Sequence, residues 1–313
     1  MPDPLTIERP RDVRSALREG MARLRAARTP SHTLAAELLL MHTLGRDRAW
    51  LYSHPESPMD ASAAENYFAL IARRAAGEPT QYLTGKQEFW GLEFEVNPGV
   101  LIPRPETEHI IEVALERLGP RGFRIDPRTG APTPPLRIAD VGTGSGCIAV
   151  ALARELPHAE IFATDISEAA LAVARRNAAR HAVSARIHFI RCDLLAAFLY
   201  SPLAPHPSSL PLDLIVSNPP YVARDASATL PREVREHEPH VALFGGPAGA
   251  EIYPCLIEQS GQLLRSGGVL VLELGHDSAP RVRSILERGT AWTAVKITND
   301  LAGIPRVIAA ERV

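Results

Sequence analysis

The sequence predicts an α/β protein with a seven-stranded, mostly parallel, doubly wound sheet, a small N-terminal helical domain and a linking β-hairpin. Three observations predict this fold. The first 78 residues show helical periodicity, strands and helices alternate from residue 136 onward, and 313 residues suffice for one large and one smaller domain. Because 45% of the residues are hydrophobic and 22% are charged, the chain can bury a sizeable core.

The N-terminal segment 1–78 contains three predicted helices. The first spans Arg11–Ala27, the second follows Ser31 as its N-cap, and the third follows Asp60. Apolar residues recur at helical spacing and predict the buried faces. These positions are Val13, Leu17, Met21 and Leu24 in the first helix, Leu34, Leu38, Met41 and Leu44 in the second, and Tyr67, Ile71 and Ala75 in the third. We expect one helical domain over residues 1–78.

Residues 79–105 are predicted to link the two domains. Within them, Gln87–Trp90 and Leu92–Val96 flank a glycine and predict a short β-hairpin. The large α/β domain is predicted over residues 106–313.

Seven strands are predicted in the large domain, with helices between most of them. This alternation is typical of βαβ units and therefore of a parallel sheet. The strands are Leu136–Val141, Glu160–Asp165, Arg186–Arg191, Leu212–Ser217, Val269–Leu274, Ala294–Thr298 and Arg306–Glu311. A short loop joins the last two, which permits only antiparallel pairing, so we expect the sheet to end in one reversed strand. The Pro-rich segments 124–135 and 201–211 are predicted to be surface insertions.

The composition argues against several classes of protein. A formal net charge of −2 does not fit a dedicated nucleic-acid binder, which needs a basic surface. Cys147, Cys192 and Cys255 are far apart and form no C-x-x-C pair, so neither a metal site nor a disulfide framework is indicated. The N-terminus lacks an apolar signal region, and prolines interrupt the long uncharged stretch. We therefore expect a cytoplasmic protein without metal ions, direct DNA binding or membrane attachment.

A glycine-rich segment follows the first strand of the large domain and precedes a helix. It consists of Gly142, Thr143, Gly144, Ser145 and Gly146. Glycines at such a turn let a ligand approach the backbone closely. A dinucleotide fingerprint would have a third glycine where this chain has Cys147, so the spacing argues against NAD and FAD. The segment also lacks the lysine of a P-loop.

Acidic residues are predicted at the carboxyl ends of three neighbouring strands. Asp140 and Asp165 lie at the ends of the first two strands, and Asp193 follows the third. Ligands of open α/β sheets bind in the crevice at this edge, so we expect all three carboxylates to line it. Asp165 follows the glycine segment by about twenty residues, the spacing of an acidic residue that accepts ribose hydroxyls.

The segment Asn218, Pro219, Pro220 and Tyr221 follows a strand at the same edge of the sheet. It resembles the signature of methyltransferases that act on a planar NH2 group, whose nitrogen is a poor nucleophile because its lone pair is delocalised. The side-chain carbonyl of Asn218 and the backbone carbonyl of Pro219 can each accept one N–H, and Tyr221 offers a flat face. Such positioning needs neither a metal nor a covalent nucleophile.

Further motifs extend this resemblance along the chain. They are Tyr82–Gly85, Glu88–Gly91, Leu101–Glu108, Glu238–Pro239 with Ala242–Leu243, and Leu272–Gly275. With them, the chain resembles the bacterial release factor glutamine methyltransferases, the PrmC (HemK) family, over nearly its full length. The resemblance implies the class I S-adenosylmethionine-dependent methyltransferase fold and S-adenosyl-L-methionine as methyl donor. It implies as acceptor the glutamine side-chain amide in the Gly-Gly-Gln motif of peptide chain release factors, and hence a role in translation termination.

The resemblance also implies roles for the donor-side residues. The glycine segment, Gly142, Thr143, Gly144, Ser145 and Gly146, would hold the methionine part of the donor. Asp165 would bind its ribose, and Asp193 with Leu194 would flank its adenine.

On the acceptor side, the resemblance assigns Asn218 to both donor and substrate. Asn218, Pro219, Pro220 and Tyr221 would hold the glutamine, with Asn218, Pro219 and Tyr221 as catalytic residues. The segment Pro103–Glu108 would cover the reaction centre. The helical domain would help to dock the release factor, and we expect a monomer.

Three alternatives remain open at this point. A ribosomal-protein glutamine methyltransferase would use the same chemistry, although Pro105–Glu108 resembles the release factor branch. A DNA adenine or cytosine amino-methyltransferase would need a basic groove, whereas segment 1–78 has nearly balanced Arg and Asp/Glu. A non-catalytic binding protein could retain the fold, but the intact Asn218 and glycine segment argue against it.

Overall fold

A computed structural model describes residues 12–119, 135–200, 211–288 and 290–313 of the chain. Apart from Pro135 and Pro211, the predicted Pro-rich insertions lie outside the described residues, as does Arg11 of the first predicted helix. The chain forms two compact units. The first extends to Lys86 and includes Pro231–His237, and the second comprises Gln87–Leu230 and Glu238–Val313.

Helices and strands are numbered here in chain order. The helices are α1 (Val13–Ala26), α2 (His32–Leu44), α3 (Arg48–Ser53), α4 (Ala61–Ala75), α5 (Thr80–Thr84), α6 (Glu108–Leu118), α7 (Cys147–Glu155), α8 (Glu168–Arg180), α9 (Ala196–Tyr200), α10 (Arg232–His237), α11 (His240–Leu243), α12 (Ile252–Leu263) and α13 (Ala279–Arg288). The strands are β1 (Lys86–Phe89), β2 (Leu92–Glu95), β3 (Arg137–Val141), β4 (Glu160–Asp165), β5 (Ile187–Arg191), β6 (Leu212–Ser217), β7 (Val222–Ala223), β8 (Phe244–Gly246), β9 (Leu264–Glu273), β10 (Trp292–Asn299) and β11 (Pro305–Arg312).

The first unit packs α1, α2 and α4 around one apolar core. Asp60 caps α4 as predicted, since its Oδ1 accepts from the backbone N of Ala63 at 2.7 Å. Tyr67 of α4 is fully buried in this core, and its hydroxyl donates to the carbonyl of Ala36 in α2 at 3.3 Å. The same hydroxyl lies so close to Gly20 of α1 that a Cβ there would come within 2.1 Å of it. Glycine at this position therefore lets three helices meet on one tyrosine.

The second helix differs from the prediction in its buried face and its cap. Ser31 occupies the predicted N-cap position with φ of 48°, but its side chain makes no capping hydrogen bond. Leu34 is 44% exposed, and the buried positions are Ala35, Ala36, Glu37, Leu39 and Leu40. Met41 and Leu44 are half-buried and pack against the core as predicted. The apolar residues of α2 occur on nearly every side, so their spacing alone does not select one face.

Helix α10 belongs to the first unit although its chain neighbours on both sides belong to the second. It is attached through Glu233, whose Oε2 accepts from Nη2 of the buried Arg74 at 2.5 Å. A second donor of Arg74, Nη1, bonds the carbonyl of Glu78 at 3.0 Å.

The second unit contains the predicted seven-stranded sheet, in the order β10-β11-β9-β6-β3-β4-β5. Its pairs are parallel except for those of β11, which runs antiparallel to both β9 and β10. The reversed strand is therefore one place in from the edge, and the expectation that the sheet ends in it is wrong. The physical reason is burial, since Val307–Ala310 of β11 are buried whereas β10 is half exposed.

Helices cover both faces of the sheet. One face packs against α6, α7 and α8, and its core includes Ile138, Leu214 and Val271. The other face packs against α9, α12 and α13, and its core includes Ala139 and Ile215. Successive residues of a strand point to opposite faces, which explains why these strands read as continuous apolar runs. The sheet is doubly wound, as predicted.

The chain reverses its direction of travel across the sheet between β3 and β6. From β3 it continues through β4 to β5, and it then returns to place β6 on the other side of β3. In this register Val141 pairs with Ser217 on one side and with Thr164 on the other. The carboxyl ends of parallel strands at such a switch point form the crevice in which α/β proteins bind ligands. Within the described residues, no helix combines the length and the apolar character needed to cross a bilayer.

Candidate functional site

A cavity of about 270 Å³ lies at the carboxyl ends of β3, β4 and β6. Both candidate motifs reach it, with Gly142 and Gly144 on one side and Asn218, Pro219 and Pro220 on the other. The location matches the switch point of the sheet, and a largely apolar pocket with a few polar groups is typical of a small-molecule site.

The glycine segment turns sharply between β3 and α7. Gly142, Gly144 and Gly146 have φ angles of 73°, 56° and 81°, a left-handed conformation that side chains disfavour. A Cβ on Gly142 would meet no atom within 4 Å, so this glycine serves the backbone conformation. A Cβ on Gly146 would lie 3.0 Å from that of Ala174, so this glycine also allows close packing of α8.

Asp140 lies beneath this turn and does not line the cavity, contrary to expectation. It is fully buried, and its Oδ2 accepts from Thr143 Oγ1 at 2.6 Å and from the N of Ala149 at 3.1 Å. Its Oδ1 has no hydrogen-bond partner among the described residues. Burial raises the pKa of this carboxyl to about 7, against the opposing effect of the Thr143 bond. Asp140 therefore shapes the glycine segment from below.

Asp165 lines the cavity at the end of β4. Its Oδ2 accepts from the backbone N of Gly144 at 2.9 Å, and its Oδ1 accepts from the N of Ser167 at 2.8 Å. Burial raises its pKa above the ordinary value, although the two backbone donors oppose this effect. Each carboxylate oxygen keeps a further lone pair for a ligand, so this side chain can accept two hydroxyls.

The far end of the cavity is bordered by Asp193, Leu194 and two exposed apolar side chains. Asp193 is exposed and Leu194 is half-buried with φ of 48°. Ile166 and Val241 are 52% and 56% exposed, and both line the cavity. Large exposed apolar side chains grouped at a pocket indicate a surface that binds an apolar or aromatic group.

The loop after β6 places Asn218 at the cavity. Its start is tied to the glycine side of the site, because Ser217 Oγ donates to the carbonyl of Val141 at 2.7 Å. Beyond it, a Cβ on Gly245 would come within 2.3 Å of the Pro220 carbonyl, and one on Gly249 within 2.4 Å of the Tyr221 carbonyl. Two glycines thus allow other backbone segments to pack directly against this loop.

A hydrogen-bonded group of side chains lies behind Asn218. Asn218 Nδ2 donates to Thr107 Oγ1 at 3.0 Å, and the Thr107 hydroxyl donates to Glu273 Oε2 at 2.7 Å. The Tyr221 hydroxyl donates to the other carboxylate oxygen of Glu273 at 3.2 Å. Glu273 is 1% exposed and Thr107 is 2% exposed.

The segment from residue 99 to 104 forms a wall of the cavity through Gly99, Val100 and Leu101. The buried Glu238 holds its end in place, since Oε1 accepts from Arg104 Nη2 at 2.5 Å and Oε2 accepts from the N of Ile102 at 3.4 Å. Such a bond between two charged groups is stronger than a neutral one. Glu238 immediately precedes Pro239, which also lines the cavity, so one carboxylate connects two of the lining segments.

Among the described residues, the site indicates neither a metal centre nor a thiolate nucleophile. Across the described ranges, no group of three or more His, Cys, Asp or Glu side chains is arranged to hold a metal ion. Cys147 is buried beside the glycine segment, and burial raises the pKa of its thiol to about 12, so it is protonated at neutral pH.

Comparison with known proteins identifies the family. Residues 15–85 match the PrmC N-terminal domain, and residues 132–234 match the Methyltransferase small domain. The chain is 44% identical over 296 residues to the release factor glutamine methyltransferase of Koribacter versatilis (strain Ellin345), covering 95% of this chain and 97% of that protein. It is also 44% identical over 273 residues to the enzyme of that name in Chlorobaculum tepidum, covering 87% and 88% of the two chains.

This chain belongs to the release factor glutamine methyltransferase family. The family predicted from the motifs is thereby confirmed. Among solved structures, the hMettl16 catalytic domain in complex with MAT2A 3'UTR hairpin 1 is similar with a TM-score of 0.54 and 20% identity, covering 78% of this chain and 80% of that one. At that identity it supports the fold alone, and the predicted methyltransferase fold is confirmed.

The structure divides the predicted site residues into two groups. Those that line the cavity are Gly142, Gly144, Asp165, Asp193, Leu194, Asn218, Pro219 and Pro220. Thr143, Ser145 and Gly146 are buried in the turn beside it, and Tyr221 packs behind it against Glu273. The roles of all these residues stay predictions.

Sequence reasoning assigned no role to Glu238 or Glu273, and none to Thr107 by itself. All three lie in motifs that carried the family resemblance, which was the available signal. The contacts of Glu238 with Ile102 and of Glu273 with Thr107 join residues more than a hundred positions apart, so only the fold shows them.

Proposed function

We propose that this protein transfers a methyl group from S-adenosyl-L-methionine to the side-chain amide nitrogen of the glutamine in the Gly-Gly-Gln motif of peptide chain release factors, and thereby modulates translation termination. The observation that carries this proposal is the meeting of Asn218 and the glycine segment at one cavity, in a chain of this family. A donor and a planar amide can therefore be held side by side.

The donor side of the cavity fits S-adenosyl-L-methionine. The left-handed turn at Gly142 and Gly144 leaves room for the methionine part, and the free lone pairs of Asp165 suit two ribose hydroxyls. Ile166 and Leu194 offer apolar surface for an adenine, with Asp193 at its edge. When bound, the donor supplies a methyl group already activated by its positively charged sulfur.

The acceptor side is built to hold a planar NH2 group. The Asn218 side-chain carbonyl and the Pro219 backbone carbonyl accept the two N–H groups of the glutamine amide, which orients its nitrogen toward the donor. As positive charge develops on that nitrogen during transfer, both carbonyl dipoles stabilise it. Tyr221 supports the loop from behind. Orientation alone supplies a large part of the rate when the methyl donor is preactivated.

The docking of the release factor is assigned to the helical segment 1–78, with residues 79–105 as the linking segment and 106–313 as the catalytic domain. A net charge of −2 supports a protein substrate over DNA. We further propose that the protein is a monomer and acts in the cytoplasm.

The test is transfer of labelled methyl from S-adenosyl-L-methionine to a purified release factor by the full chain. Label is expected on the glutamine of Gly-Gly-Gln and is expected to be absent from a release factor carrying Gly-Gly-Ala. Ribosomal proteins and DNA serve as competing acceptors. Preferential labelling of ribosomal proteins would select the nearest alternative, and labelling of DNA or equal labelling of the Gly-Gly-Ala protein would overturn the proposal.

A further inference from the structure

Glu273 is a buried acid at the end of β9 that contacts the acceptor loop without reaching the cavity. Its two carboxylate oxygens accept from two different hydroxyls, Thr107 Oγ1 at 2.7 Å and Tyr221 Oη at 3.2 Å. Its backbone carbonyl accepts from Tyr253 Oη at 2.9 Å. A buried carboxylate with a hydroxyl donor on each oxygen is held in one orientation, so it fixes where those hydroxyl protons point.

The donation by Thr107 determines how the Asn218 amide faces. A threonine hydroxyl has one proton, and here Glu273 receives it. The Thr107 oxygen can then only accept, so the group 3.0 Å away must be the NH2 end of the Asn218 amide. The carbonyl end of Asn218 is consequently turned away from Thr107.

We infer that Glu273, acting through Thr107, is a positioning residue that holds the Asn218 amide with its oxygen toward the acceptor position. This inference rests on the proposed function. A glutamine NH2 needs acceptors at the site, and the reversed Asn218 amide would present two donors to it. Free rotation of the amide would therefore populate an unproductive state, and Glu273 removes that freedom.

The charge of Glu273 decides the direction of this hydrogen-bond chain. Burial raises the pKa of Glu273 to about 7, against the hydrogen bonds from Thr107 and Tyr221 and the charge of Arg306, while Glu106 adds to the rise. The Tyr253 hydroxyl bonds the backbone carbonyl of the same residue. A protonated Glu273 could donate to the Thr107 oxygen. The Thr107 proton would then be free to bond the Asn218 carbonyl and reverse the amide. The turnover number is therefore expected to fall as pH drops below about 7.

Three variants test this with the full chain. Thr107→Val removes the hydroxyl at nearly constant shape, and we expect the turnover number to fall about tenfold or more, the effect of losing a hydrogen bond next to a charged group. Thr107→Ser restores the hydroxyl and should stay within about threefold of the unmodified protein. Glu273→Gln should flatten the change of turnover between pH 6 and 8, because the carboxyl that faces Thr107 no longer titrates. Thr298→Val on the edge strand β10, away from the cavity, is the matched control.

Donor affinity by calorimetry and the thermal midpoint separate positioning from misfolding. Both should change little in Thr107→Val if the residue only orients Asn218. Equal turnover in Thr107→Val and Thr107→Ser, or an unchanged pH profile in Glu273→Gln, would overturn the inference while leaving the proposed function standing.

If no acceptor is methylated at all, the proposed function fails, but the positioning of Asn218 by Glu273 can still be tested by NMR. The side-chain amide signals of Asn218 in a ¹⁵N NMR spectrum should then shift with pH near 7 in the unmodified protein and stay constant in Glu273→Gln. Signals that do not respond to pH in either protein would refute the chain from Glu273 to Asn218.

Discussion

The two sides of the cavity are built by different means. On the donor side, backbone conformation dominates, since Gly142 and Gly144 are left-handed and Asp165 is itself held by two backbone donors. On the acceptor side, side chains from three distant segments meet, with Thr107 and Glu273 behind Asn218. One side depends on local conformation and the other on tertiary structure.

The two sides of the cavity should therefore respond differently to amino-acid substitution. A backbone site tolerates side-chain substitution unless a left-handed glycine or the carboxylate is replaced. A side-chain site loses function when any member of its hydrogen-bonded group is removed. Substitutions on the two sides should therefore separate donor binding from methyl transfer.

Asn218→Ala is expected to have the largest effect. It removes the carbonyl that accepts from the acceptor amide, so we expect methyl transfer at saturating donor to fall about 10²-fold or more, the effect of losing a preorganised polar partner. Single-turnover transfer of labelled methyl to the release factor measures this loss.

Donor affinity is the control for Asn218→Ala. Calorimetric titration with S-adenosyl-L-methionine should give a dissociation constant within about threefold of the unmodified protein, because the glycine segment and Asp165 are unchanged. Near-normal transfer in this variant would remove Asn218 from the mechanism.

The same contrast explains what could be predicted from the sequence. The glycine turn and the Asn218 loop each follow a strand directly, and Asp165 ends one. Parallel strands bring their carboxyl ends together, so the meeting of these residues at one edge was predictable. The contact between Thr107 and Glu273 joins residues 166 positions apart, and no spacing rule connects them. Tertiary packing alone determines it.

The fold, too, could be predicted from the sequence only where local patterns determine it. The strands were predictable because buried parallel strands form continuous apolar runs, but the place of β11 inside the edge depends on which strand buries both faces. In α2, Leu34 and Ala35 are adjacent, and apolar spacing cannot tell which of them faces the core. Asp140 was expected in the crevice because the sequence showed only its position at the end of a strand.

Asp165→Ala should give the next largest effect, on the donor side. It removes the acceptor for the ribose and the partner of the Gly144 N–H, so the donor dissociation constant should rise about tenfold to a hundredfold. Calorimetric titration measures the change, and transfer at saturating donor should stay within about threefold. Asp165→Asn keeps one acceptor oxygen, so its donor dissociation constant should lie between those of the unmodified protein and Asp165→Ala. A lost turnover number with unchanged donor affinity would contradict the division of the cavity.

The smallest expected effect is on the stability of the fold, and it comes from two buried carboxyls, Asp140 behind the donor side of the cavity and Glu273 behind the acceptor side. Burial raises the pKa of Asp140 from the ordinary 3.8 to about 7, and that of Glu273 from 4.5 to about 7. At pH values between the ordinary pKa and the raised pKa of each group, the folded state therefore holds more protons than the unfolded state. The free energy of unfolding should fall as pH rises through this window, by at most about 1.4 kcal/mol per pH unit for each group, and level off above it.

Asp140→Asn isolates the donor-side share of this dependence. The amide keeps an acceptor for Thr143 and Ala149 but cannot ionise, so the variant should gain stability relative to the unmodified protein by about 1 kcal/mol or more between pH 5 and pH 8. Urea unfolding at the two pH values measures this gain. A difference between the proteins that stays constant with pH would show that Asp140 keeps its charge when folded. On that result, the charge beneath the glycine turn would be stabilised by its hydrogen bonds, as a carboxylate is when donors outweigh burial.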